Sequence, residues 1–100
     1  PNGQNIYPEE IEDKLSNMTL VSECLVVQRD NKLVGLVYPD QEQIKNLNLS
    51  EADIESIMEQ NRKEVNPTLP SYAQLISIKV MDKEFEKTPK KSIKRFLYQN

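Results

Sequence analysis

Leu20-Val21-Ser22-Glu23-Cys24-Leu25-Val26-Val27-Gln28-Arg29-Asp30-Asn31-Lys32-Leu33-Val34-Gly35-Leu36-Val37-Tyr38 is the stretch whose reading decides the fold. Two runs rich in valine and leucine, 20–28 and 32–38, flank the polar turn Arg29-Asp30-Asn31-Lys32. Asp and Asn tolerate a left-handed backbone, so the stretch is read as an antiparallel hairpin. Leu25-Val26-Val27 is apolar at successive positions, so both faces of that strand need cover from helices or another neighbouring element. Cys24 beside it is most simply a small core residue.

Working outward, Tyr7-Pro8-Glu9-Glu10-Ile11-Glu12-Asp13-Lys14-Leu15 places proline at a first helical position and acids in the first turn, facing the positive end of the helix dipole. Ile11, Leu15 and Met18 recur at helical spacing, which predicts an amphipathic helix over about residues 8 to 17. A polar stretch runs from Pro39 to Asn48. Ser50-Glu51-Ala52-Asp53 then spells a capping box, with Leu49 and Ile54 placed for a hydrophobic staple. Ile54, Ile57, Met58 and Val65 make the inward stripe of that helix, which ends near Asn66-Pro67 because proline disfavours helix in the residue before it. Ile76-Ser77-Ile78-Lys79-Val80 alternates as a third strand with one face buried. A loop from Met81 to Pro89 leads to a last short helix, with Ile93, Phe96 and Leu97 inward and Lys91, Lys94, Arg95 and Tyr98 sharing the other faces. The expected architecture is one α+β domain over residues 1–100, a small antiparallel sheet of about three strands with helices packed on it.

One hundred residues with 37% hydrophobic and 29% charged side chains describe a small soluble globular domain rather than a disordered chain. No apolar run approaches the roughly 18 residues that cross a bilayer, and the first residues lack the pattern of a signal peptide. With no histidine and one cysteine, the chain cannot form an internal disulfide, a His/Cys zinc site or a histidine-based triad. Net charge is −3, but residues 1–78 carry −7 and residues 79–100 carry +4. Lys87-Thr88-Pro89-Lys90-Lys91-Ser92-Ile93-Lys94-Arg95 holds nearly all the basic excess, and such a segment is either a solvated face or a surface that meets phosphate.

Three segments carry a resemblance. Gly3-Gln4-Asn5-Ile6-Tyr7-Pro8-Glu9-Glu10-Ile11-Glu12 resembles the glycine loop and first helix of the C-terminal domain of the adenylate-forming ligases, the AMP-forming acyl-CoA synthetase superfamily, with its Gly, Ile, Pro and closing Glu. Glu84-Phe85-Glu86-Lys87-Thr88-Pro89, followed by Ile93-Lys94-Arg95-Phe96-Leu97, resembles that family's last motif, usually Pro-Lys-Thr, a few variable residues, then Gly-Lys-Ile and an arginine. Asn66-Pro67-Thr68-Leu69-Pro70-Ser71-Tyr72-Ala73 is similar to a connector of the long-chain fatty-acid–CoA ligase branch. The three matches span the chain in the right order.

The resemblance implies the mobile C-terminal lid of a long-chain fatty-acid–CoA ligase. It implies a terminal lysine that serves adenylation and a loop, Gly3, Gln4, Asn5 and Ile6, that lines the CoA tunnel for thioester formation. It also implies fatty acid, ATP, magnesium and CoA as ligands of the whole enzyme, no metal or cofactor in this piece, and a cytoplasmic location. Any peripheral membrane contact would belong to the absent domain. The sequence departs from the motif at one place: Lys91 falls at the usual glycine, and Ser92 stands where the catalytic lysine is expected. Serine cannot supply that positive charge. Lys91 is the preferred substitute, with Lys94 and Lys87 as alternatives. The expected partner is a large N-terminal adenylation domain that would precede Pro1, so the chain is read as a piece of a longer enzyme, inactive alone. The competing reading is a non-enzymatic α+β binding module whose basic end contacts nucleic acid or an acidic partner. A carrier domain is a third, but the Asp-Ser-Leu type of attachment site is missing.

Overall fold

In the computed structural model, which describes residues 6–99, Asp30 and Asn31 both adopt positive φ, 52° and 62°. That pair of left-handed residues forms the two-residue turn whose twist matches the flanking strands, β1 (Val21–Arg29) and β2 (Lys32–Pro39), and the two strands pair antiparallel. Helix α1 (Pro8–Ser16) precedes them, with Pro8 in its first turn and Ile11 and Leu15 buried. Gly35 on β2 lets α1 approach closely: a Cβ there would lie 3.4 Å from Leu15 Cδ1 and 3.3 Å from Ile78 Cγ1.

The polar stretch after β2 holds a helix that the sequence reading did not anticipate, α2 (Gln41–Leu47). Asp40 caps it by accepting the Gln43 N–H, Asn48 closes it in the left-handed region, and Ile44 packs inward. Helix α3 (Glu51–Val65) follows with its capping box formed both ways, Ser50 Oγ accepting the Asp53 N–H and Asp53 the Ser50 N–H. Met58 and Val65 are buried and Ile54 and Ile57 pack beside them. So is Asn61, whose amide donates to the Thr19 carbonyl at 2.8 Å and ties α3 to the α1–β1 connection.

The α+β class holds, with a mixed sheet rather than an antiparallel one. Among the described residues the strand order is β1-β2-β3, and β3 (Leu75–Val80) runs parallel to β2. The cause is the connection: α2 and α3 carry the chain back across one face, and such a crossover returns a strand in the same direction. Asn66 starts β3 by bonding both the N–H and the carbonyl of Leu75 at 2.9 Å. The expected alternation of β3 is broken at its start. Leu33 faces Leu75 and Val34 faces Ser77, so Ile76 is an extra, bulged residue and is 53% exposed, while Ile78 and Val80 pack inward.

Both faces of the hairpin are covered, as Leu25-Val26-Val27 requires. Val26, Leu33 and Val37 meet the helices on one face. Leu25, Val27, Val34 and Leu36 meet Phe85, Met81, Ile93 and Tyr98 of the C-terminal segment on the other. That segment is not the expected final helix. Thr88 to Ser92 turn tightly, Lys87 pairs with Ile93 as an antiparallel bridge, and a single 3-10 turn covers Arg95–Leu97. Ile93 does pack inward, but Phe96 is 70% exposed and Leu97 is exposed too. Tyr98 takes the inward place instead, edge-to-face on Phe85 at 5.0 Å.

Candidate functional site

The last motif forms a hairpin of its own. Lys91 N–H donates to the Thr88 carbonyl, Thr88 N–H to the Ser92 carbonyl, and Ser92 N–H to Thr88 Oγ1 at 3.3 Å. Lys91 has φ 65°, so Pro89, Lys90 and Lys91 make the three-residue loop in which a type I turn ends in a left-handed residue. Glycine suits that position best, which gives a physical reason for the glycine usual there and shows that Lys91 pays strain to occupy it. Successive amides in such a turn can cradle an anion, but Thr88 already takes those of Lys91 and Ser92. Any positive charge offered at the tip must come from side chains.

The lysines differ sharply in setting. Lys87 sits 2.5 Å from Glu23 on β1, and that hydrogen bond holds its ammonium above the usual lysine pKa. Lys90, Lys91 and Ser92 are exposed. Lys94, expected on a helix far around from residue 92, instead directly follows the bridged Ile93 and leads into the 3-10 turn. Ile93 packs against the core, Ser92 before it is exposed and Lys94 after it is half-buried.

The first motif meets the sheet from the other side. Gly3, Gln4 and Asn5 lie outside the described residues. Ile6 packs against the helix-face core and borders a cleft of about 350 Å³ lined by Tyr7, Ile11, Lys14, Pro70 and Tyr72. A larger open groove of about 610 Å³, beside Arg29, Ser77 and Lys79, includes none of the expected site residues. Glu12 and Arg95, from the two ends of the chain, form an ion pair. The other Glu12 oxygen accepts the Val26 N–H at 2.7 Å, so one carboxylate caps the outer edge of β1. Cys24 Sγ donates to the Glu12 carbonyl at 3.3 Å, and burial pushes its thiol up to about 12, which leaves it a packing residue and a poor nucleophile. Among the described residues no cluster of three or more His, Cys, Asp or Glu side chains could hold a metal ion, and no helix is long and apolar enough to cross a membrane.

Sequence reasoning missed Glu23 altogether and saw Glu12 only as the end of a motif. The closing position of Glu12 was a usable signal. Nothing local marks Glu23.

The family model described as AMP-binding enzyme C-terminal domain matches residues 1–99. The chain belongs to that family. No curated protein sequence matches it. The domain is similar to part of a fatty acyl CoA synthetase of Mycobacterium tuberculosis, with a TM-score of 0.68 and 20% identity over 97% of this chain and 18% of that one. A benzoate CoA ligase from Burkholderia xenovorans gives 0.72 and 20%, over 98% and 19%. The anthranilate CoA ligase AuaEII, in complex with anthranoyl-AMP, gives 0.65 and 28%, over 92% and 17%. The chain thus spans less than a fifth of each of these proteins. This AMP-binding enzyme C-terminal domain packs Ile6 and Ile11 on one face of the sheet and the terminal hairpin on the other, and Glu12 and Arg95 join the two segments.

Proposed function

We propose that this domain is the mobile C-terminal lid of an ATP-dependent long-chain fatty-acid–CoA ligase, working against a large N-terminal adenylation domain. The observation that carries the reading is the placement of the two motifs. Ile6 packs on the helix face of the sheet and the Lys87–Ile93 hairpin on the other face. A rigid domain with a motif on each face can present one or the other to a shared active site by rotating, which suits two successive half-reactions. In the first, the hairpin delivers an ammonium to the charge that builds as fatty acid attacks ATP. In the second, the Gly3 loop closes along the pantetheine arm of CoA. Magnesium, which accompanies ATP, would be held outside these residues.

Lys91, at the exposed turn, is the proposed donor of that charge, and Lys94, next to the bridged Ile93, is its competitor. Lys87 is the weaker choice because Glu23 already holds it. A nucleic-acid surface is less well supported, since Lys87 and Arg95 of the basic segment are spent on Glu23 and Glu12. The long-chain label rests on the resemblance of Leu69-Pro70-Ser71-Tyr72 and Lys94-Arg95-Phe96-Leu97-Tyr98 to that branch.

The test is made in the full-length protein by measuring the half-reactions apart. Lys91→Ala lowers ATP–pyrophosphate exchange and spares transfer of a preformed acyl-adenylate to CoA. Gly3→Trp does the reverse. Equal losses in both half-reactions from both variants would overturn the two-pose lid.

A further inference from the structure

From the sheet, Glu23 grips the base of the terminal hairpin at two points. Its Oε2 lies 2.5 Å from Lys87 Nζ, and its Oε1 accepts the Phe85 N–H at 3.2 Å. Lys87 is the hairpin residue bridged to Ile93, so the carboxylate fixes both the approach to the hairpin and its first strand. Glu23 can do this only because β1 is bulged. Val21 faces Pro39 and Glu23 faces Tyr38, which makes Ser22 an extra residue. In a regular strand Val21 and Glu23 would share a face. Here Val21 packs on the helix side, while Glu23 reaches the side of Leu25 and Val27, where the C-terminal segment lies. Tyr98 completes the base by accepting the Glu86 N–H at 2.8 Å, and Lys94 N–H donates to the Glu86 carbonyl. The turn residues Pro89 to Ser92 project beyond this base and are exposed.

We infer that Glu23 is a positioning residue for acid activation: by clamping Phe85 and Lys87 it holds the Pro89–Ser92 turn in one pose, and it has no part in thioester formation. The inference rests on the two-pose reading above. Glutamine at this position keeps an oxygen for the Phe85 N–H and loses the charge that holds Lys87, so it separates clamping from bulk folding.

In the full-length protein, Glu23→Gln lowers ATP–pyrophosphate exchange by roughly tenfold, the scale of one charge-assisted hydrogen bond. The loss falls on turnover rather than on the Michaelis constant for ATP, and transfer from preformed acyl-adenylate to CoA stays within about twofold of wild type. Adding Lys87→Gln to Glu23→Gln costs little more, because the two side chains act as one unit. Backbone amides of residues 85–94 exchange with solvent faster in Glu23→Gln, while those of α3 do not change. Equal slowing of both half-reactions, or of neither, overturns the inference. A wild-type protein that makes no acyl-adenylate from any fatty acid refutes the ligase reading instead, and the amide exchange then decides alone: unaltered exchange at 85–94 sinks the positioning role.

Discussion

Glu12 on α1 holds the Arg95 guanidinium with one carboxylate oxygen and the Val26 backbone N–H with the other, so a single side chain joins the first helix, the outer edge of the sheet and the last turn. Glu12 is 13% exposed and Arg95 33%. The burial matters more than the attraction, because an ion pair open to water contributes little, whereas an orphaned backbone donor retains its full desolvation cost.

Glu12→Ala therefore destabilises this domain by about 1–3 kcal/mol, while Arg95→Ala costs about 1 kcal/mol or less. Urea unfolding of the single variants and of the double variant checks this. Arg95 should add almost nothing once Glu12 is gone, and strictly additive losses would mean that the pair is not coupled.

Lys91 sits at φ 65° for a reason unrelated to its charge, since the turn needs a left-handed residue there. Lys91→Gly raises stability by about 0.5–1 kcal/mol, and Lys91→Val lowers it by a similar amount, in thermal unfolding. If Lys91 supplies the adenylation charge, the stabilised glycine variant is also the slower enzyme in pyrophosphate exchange.

Ser92→Lys in the full-length protein restores an ammonium at the position where the resemblance expects one. Pyrophosphate exchange rises, and the rise is larger in a Lys91→Ala background, where up to about 10²–10³ in rate is missing. If Lys94→Ala lowers exchange and Lys91→Ala does not, the charge comes from the residue after the bridged Ile93 rather than from the turn. No change in any of these variants would remove the terminal lysines from the chemistry.

Cys24 binds its proton more tightly in the folded chain, at about 12 against 9.0 for an ordinary thiol, chiefly through burial and secondarily through the Glu12 and Asp13 charges. A folded pKa above the unfolded value gives stability that is complete below pH 9 and is lost as pH climbs towards 12. Wild type should lose more stability than Cys24→Ala between pH 9 and 12, with parallel curves below pH 8, when unfolding midpoints are compared. The thiol should also resist a disulfide reagent at neutral pH until urea unfolds the chain.

Much of the fold was legible because its signals are local. Asp30-Asn31 sets the hairpin turn, Pro8 and the acids after it start α1, and Ser50 with Asp53 starts α3 through bonds no more than a few residues long. The glycine-to-lysine change at residue 91 and the serine at 92 were visible in the same way. Polar composition hid α2, whose seven residues are held by the Asp40 and Asn48 caps and the contact of Ile44. The apolar spacing of Ile93, Phe96 and Leu97 suggested a final helix that is not there, because Ile93 is drawn into pairing with Lys87, and Tyr98 rather than Phe96 fills the space over Phe85.

The sequence by itself determined the Asp30-Asn31 turn, the starts of α1 and α3 and their apolar stripes, since each depends on neighbours close along the chain. Tertiary structure alone decided that β3 joins parallel to β2, that Ile6 and the terminal hairpin lie on opposite faces of the sheet, and that Glu12 and Glu23 find Arg95 and Lys87. Those pairs are separated by 83 and 64 positions. Partners so distant meet only after the helices and sheet have packed, and one bulged residue, Ser22, determines which face Glu23 reaches.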